Sequence, residues 1–126
     1  MINRRALVLA TVGGTILQVA MVVSGHTNAS VQSLFAVGGM GISLAAGVAY
    51  VMLSPRSESS SPSLGGLLAG GVCALIGIGV SYGLGDVPAS LLALGTLSSA
   101  VTGTVGAWLA AKLARTKDEG RAAAIR

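Results

Sequence analysis

Three polar side chains stand out in a chain that has few: Gln18, His26 and Asp86. His26 is the single histidine and lies in the corner "SGHTNA", residues 24–29. A similar corner, "LGDVPA", follows at residues 84–89, with Asp86 offset from His26 by 60 positions. A carboxylate beside an imidazole favours its charged form, so the pair has the chemistry of a pH-sensitive latch. The same residues also suit plain structural work. Asp86 ahead of Val87-Pro88 fits a helix N-cap with proline at an early helical position, and Asn28 or Thr27 can cap the other corner. As a metal site the pair falls short of the three or four protein ligands that stable zinc sites use. As a catalytic dyad it lacks a nucleophile, because Ser24, Thr27 and Ser30 fit turns and caps. No enzyme activity is expected.

Gln18 is the deepest strongly polar group of the first apolar run. It can hydrogen-bond across helices, worth about 1 kcal/mol in a membrane, or contact a permeating solute. Membrane enzymes and ion-coupled carriers ordinarily keep ionisable groups inside their spans, and none stands mid-run here. Cys73 is the only cysteine, which excludes an internal disulfide; its apolar surroundings predict a buried, inert side chain. No cofactor is expected. The stretch "GIGVSYG", residues 77–83, misses the spacing of a dinucleotide glycine loop, and one loop histidine is poor support for haem. Asn28-Ala29-Ser30 matches a glycosylation sequon but lies too close to a span to be a good acceptor.

These residues sit in or between four apolar runs, at about 6–24, 29–53, 64–84 and 88–112. Each approaches or exceeds the roughly 20 residues that a membrane helix needs. Charged residues make up 10% of the chain, against about 25% in soluble domains, and the mean hydropathy is strongly positive. The runs lack the alternation of barrel strands, and a helix satisfies its own backbone in lipid. The expected fold is all-α: one integral membrane four-helix bundle over residues 1–126. Hairpin one would span 6–53 and hairpin two 64–112, joined by the polar loop "SPRSESSSPS" at 54–63. A basic tail, 113–126, would extend the last helix briefly and fray past Gly120.

All eight basic residues, Arg4, Arg5, Arg56, Lys112, Arg115, Lys117, Arg121 and Arg126, fall at the termini or in the middle loop. The positive-inside rule then puts both termini and that loop in the cytoplasm, with the chain in the cell's inner, cytoplasmic membrane. Tyr50 and Trp108 fall near the inner ends of their spans, as interfacial anchors would. A cleaved signal peptide would need a shorter apolar run and a small-x-small site after "MINRR"; the first run is read as a span. The net charge of +4 does not form a basic face interleaved with aromatics, so nucleic acid is not an expected partner.

A 60-residue shift also aligns Gly25, Ala29, Ser30 and Leu34 with Gly85, Ala89, Ser90 and Leu94. Gly39, Ser43 and Gly47 fall on Ser99, Gly103 and Ala107; Ala6, Ala10 and Gly14 fall on Gly66, Gly70 and Ala74. The pattern predicts a duplicated hairpin, related by an axis along the membrane normal. Small residues four apart share a helix face and let backbones approach closely in lipid. The predicted packing stripes are Gly39, Ser43 and Gly47; Gly65, Ala69, Cys73, Gly77, Ser81 and Gly85; and Gly95, Ser99, Gly103, Ala107 and Ala111. They can serve packing within the chain or between chains.

The size and four-helix layout resemble the small multidrug resistance transporters. That family couples to protons through a first-helix glutamate, where this chain has Gln18 and no acid. Its aromatic lining is missing too, and the one-sided charge does not fit dual or inverted assembly, so the assignment is rejected. Phage holins share the short length and basic tail. The leading expectation is a non-enzymatic accessory or structural membrane component. The alternatives are a small oligomeric channel or transporter for a neutral or weakly polar solute, and a holin-like permeabilising protein. Expected partners are the lipid bilayer and a second copy or another membrane protein.

Overall fold

The computed structural model describes residues 2–55 and 61–126, so Arg56 and half of the predicted loop 54–63 lie outside the described residues. The described elements are all helical: α1 (Arg4–Thr27), α2 (Ala29–Gln32), α3 (Phe35–Leu53), α4 (Pro62–Gly83) and α5 (Ala89–Ile125). α1, α3, α4 and α5 are each long and apolar enough to cross a membrane. α4 packs against the other three long helices, and α3 packs against α1 and α5.

Local chemistry sets most of the boundaries. Asn3 caps α1, its Oδ1 accepting from the Ala6 N–H at 2.8 Å. Asn28 closes α1 and opens α2, accepting from the Ser30 N–H at 3.0 Å. Pro62 stands in the first turn of α4, where its missing N–H leaves nothing unpaired. At the far end of α4, Gly85 has φ +80°. The Gly85 N–H donates to Tyr82 O and the Asp86 N–H to Ser81 O, each at 3.0 Å. This is a Schellman ending, which needs glycine at the left-handed position. It also fixes where Asp86 emerges.

Four expectations need correction. The second apolar run is not one helix, because the chain breaks at Ser33 and Leu34, where the Leu34 N–H reaches back three residues to Val31 O. The break lets the Phe35 ring seat on Gly25, at the end of α1, in space that a Cβ there would fill. Asp86 does not cap α5. The capping position is Pro88, and no side chain caps that helix. The tail does not fray past Gly120, since α5 is 37 residues long and runs to Ile125. Its last turns are rich in Ala, Lys, Arg and Glu, strong helix formers that outweigh the roughly 1 kcal/mol cost of one glycine. Tyr50 is not an outward anchor. It is fully buried, its ring occupying the space beside Gly65 and its hydroxyl accepting from the Asn3 N–H at 3.2 Å. Trp108, by contrast, is half exposed, with Lys112 Nζ 4.9 Å from its ring centre.

The interior is built from small side chains. The inward face of α1 reads Ala6, Ala10, Gly14, Gln18, Val22 and Gly25; that of α5 reads Ser99, Gly103, Gly106 and Ala107. The large aliphatics point outward, with Ile16 63%, Val37 75% and Leu97 65% exposed. Water-soluble domains sort these residues the other way.

Candidate functional site

Gln18 lies on the inward stripe of α1 and is 2% exposed. Gly77 of α4 makes room for it, since a Cβ there would stand 2.6 Å from Gln18 Cβ. The Gln18 Nε2 donates to Gly39 O at 3.0 Å and to Ser43 Oγ at 3.4 Å. Ser43 Oγ in turn donates to Gly70 O at 3.3 Å, and Cys73 Sγ donates to the same carbonyl at 3.3 Å. A short polar seam therefore ties α1, α3 and α4 at mid-length. Deep in an apolar setting, each such bond replaces an otherwise unsatisfied group.

Towards the His26 end of the bundle, the seam borders a cavity of ≈ 370 Å³. Gln18, Met21 and Val22 of α1, Phe35, Gly39 and Met40 of α3, and Ile78 and Ser81 of α4 line it. Val87 and the first half of α5, including Leu91, Leu94, Gly95, Ser98 and Ser99, complete the wall. Gln18 thus both crosslinks helices and faces open space. Ser81 is buried, and its hydroxyl has no hydrogen-bond partner. Ser98 instead donates back to Gly95 O at 3.1 Å.

His26 and Asp86 meet. His26 Nδ1 lies 3.0 and 3.1 Å from the two Asp86 carboxylate oxygens. The imidazole is in the last turn of α1, where the helix dipole favours positive charge. Its side chain is 44% exposed, that of Asp86 11%. The pair stands above the cavity: Val22, one turn before His26, and Val87, next to Asp86, are both on the wall. Among the described residues no third His, Cys, Asp or Glu joins them in a metal-binding group.

The stripe residues fall into two kinds. At Gly47 and Gly103 the added carbon of an alanine would run into backbone: Gly47 faces the Gly103 carbonyl of α5, and Gly103 faces Gly66 and Gly70 of α4. Ser43, Ser99 and Ala107 are buried along the same helices. Gly39 faces Gln18, 3.5 Å from its Oε1 to the Cβ position. Gly95 differs, because its neighbour at 2.7 Å is the tip of Ile78, a movable side chain, and it opens onto the cavity. Sequence reasoning passed over Gly106, which presses on the Leu44 carbonyl. It stands three residues after Gly103, so counting by threes as well as fours would have reached it. Phe35 was also missed as a wall residue. No protein-family model, curated protein or solved structure matches this chain.

Proposed function

We propose that this chain is a multi-pass integral membrane protein without catalytic machinery, acting as an accessory or structural component. The observation that carries the reading is the inverted sorting of side chains. Small and polar residues fill the interior while Leu, Ile and Val cover the outside. In water that surface would be a large aggregation liability, whereas in lipid it is the solvated one. Helix association there rests on close packing and a few interhelical hydrogen bonds, both of which the Gly47–Gly103 contact and the Gln18 seam supply.

The placement of the basic residues supports cytoplasmic termini and the cell's inner membrane. The duplicated hairpin draws support from contacts between positions 60 apart: His26 against Asp86, and Gly47 against Ala107. Residues related by a twofold axis meet where they lie on it. Lipid and either a second copy or another membrane protein are the proposed partners. A second reading, passage of a neutral solute, is favoured by Gln18 on the cavity wall. The glycine contacts below it close the single chain, so such a path would run between chains.

Substituted cysteines test the topology in a Cys73→Ser background. A membrane-impermeant thiol reagent should label Thr27→Cys and Val87→Cys from outside intact cells, and Ser61→Cys from the cytoplasmic side. Labelling of Thr27→Cys and Ser61→Cys from one face would overturn the arrangement. Native mass in a gently extracted lipid particle separates the roles: a co-purifying membrane protein supports the accessory one, and a homo-oligomer with flux lost in Gln18→Leu supports passage.

A further inference from the structure

We infer that the cavity below the His26–Asp86 pair binds one uncharged amphiphile. The ligand would be an apolar chain or ring carrying a hydroxyl or carbonyl oxygen that meets the Ser81 hydroxyl. This inference rests on the membrane reading, because the surrounding lipid phase delivers such a molecule.

Size, polarity and one unmet hydrogen bond converge. The ≈ 370 Å³ volume lies within the range of about 300–1,000 Å³ typical of small-molecule pockets. A partner helix, about 10 Å across, does not fit. The wall is built from Met, Phe, Leu, Ile and Val with a few hydroxyls and one amide, and no charged residue lines it. A carboxylate ligand would find no cation on the wall, and Asp86, next to the wall residue Val87, carries a carboxylate. A neutral ligand carries no such desolvation cost.

Ser81 supplies the specific contact. Four hydroxyls of α5 bond back to their own helix: Thr96 to Leu92 O, Ser98 to Gly95 O, Thr102 to Ser98 O and Thr104 to Ala100 O. Ser81 does not, though it is only 2% exposed. Thr15 Oγ1 is also unpartnered, but Thr15 is not on the cavity wall. Ser81 lines the cavity, and the proposed ligand oxygen would supply the partner its hydroxyl lacks. Gln18 Nε2 is held by Gly39 and Ser43, so the amide forms a fixed polar edge of the cavity.

Three of the sequence differences between the two hairpins meet at this place. Under the 60-residue shift, Phe35 falls on Gly95, Gln18 on Ile78 and Met21 on Ser81. All six line the cavity. At two of the three pairs the first hairpin carries bulk, Phe35 and Met21, where the second carries Gly95 and Ser81.

The test uses the full chain in phosphatidylcholine vesicles with three diazirine photoprobes: a long-chain alcohol, the matching fatty acid at pH 8, and the matching alkane. The alcohol should label saturably, with adducts concentrated near Met21, Met40 and Leu94, and the fatty acid should label those sites weakly. Ser81→Ala should weaken alcohol labelling about fivefold, the loss of one hydrogen bond, and leave alkane labelling unchanged. Gly95→Leu should abolish cavity labelling, whereas Leu97→Phe, on the outward face, should not. Ser98→Leu fills the same space from another position and replaces Gly95→Leu if that variant does not fold. Unsaturable labelling spread evenly over the outward faces, or cavity labelling indifferent to the filling variants, overturns the site. Alcohol labelling indifferent to Ser81→Ala overturns the assigned contact. Failure of the membrane reading is distinct: the alkane would then miss Ile16 and Leu97, and alkaline carbonate would release the chain from the vesicles.

Discussion

The two ends of the bundle are packed by different rules. At the end holding Tyr50 and Gly65, α3, α4 and α5 meet backbone to backbone, through Gly47, Gly66, Gly103 and Gly106. At the end holding His26 and Asp86, Met21, Phe35, Met40, Leu91 and Leu94 stand between the same helices, and a cavity opens. The small-residue stripe of α5 shows the transition within one helix. Gly103 touches backbone, while Gly95, two turns earlier, touches only the end of a side chain. A stripe of small residues permits close approach; whether helices close depends on what the facing helix presents. The closed end reads as the fixed part of the fold and the open end as the place where something else can enter.

The largest expected effect follows from breaking the closed end. Gly47→Leu drives side-chain atoms into the Gly103 carbonyl and the Ala107 backbone, none of which can turn aside. A loss of about 3 kcal/mol, the upper part of the usual range for overpacking, is expected in denaturant-monitored unfolding. Gly41→Ala provides the contrast, since nothing lies within 4 Å of its Cβ position. It should be neutral or stabilising by up to about 1 kcal/mol. Equal behaviour of the two variants would remove the distinction between the closed end and an ordinary helix face.

Gln18 joins the two ends, and its replacement should have an intermediate effect. Gln18→Leu keeps bulk and removes the bonds to Gly39 O and Ser43 Oγ. Interhelical bonds of this kind are worth about 0.6–2 kcal/mol in membranes, so a loss of about 1 kcal/mol is expected. Ser43→Ala should cost less in the Gln18→Leu background than it does alone if the two act as one seam. Fully additive losses in a double-mutant cycle would show that they do not. At the closed end, Tyr50→Phe should cost about 0.5–1 kcal/mol by removing the bond from the Asn3 N–H. A larger fall would mean that the hydroxyl holds the start of α1 in place.

Much of this organisation was legible in the sequence, for reasons that differ by residue. The four long helices follow from apolar length, and the matched corners at His26 and Asp86 were visible as a 60-residue offset. The break before Phe35 was not legible. No glycine or proline marks Ser33-Leu34, and the turn depends on a ring from one helix seating on a glycine of another. Tyr50 was misjudged because an aromatic near a span end reads alike whether it faces lipid or fills the gap left by Gly65. Asp86 was read as a helix cap because the sequence "GDVP" fits that use. The Schellman ending at Gly85 instead turns its side chain towards His26. The cavity could not be anticipated, since it arises from where four stripes fail to meet rather than from any motif.

The smallest effect concerns the lid of the open end, and pH is what sharpens it. The His26–Asp86 contact has good geometry, but the imidazole is 44% exposed. Water screens it, so the coupling should stay below about 1 kcal/mol. Its charge attraction exists only while the imidazole is protonated. The coupling is therefore to be compared at pH 5.5 and at pH 8. A double-mutant cycle of His26→Ala and Asp86→Asn, run at both values, measures it directly. A coupling present at pH 5.5 and lost at pH 8 would make the pair a charge-dependent closure over the cavity. An equal coupling at both would reduce it to a neutral hydrogen bond joining the last turn of α1 to the loop before α5. In that case the open end has no pH control, and access to the cavity is set by the packing of Phe35, Leu91 and Leu94 alone.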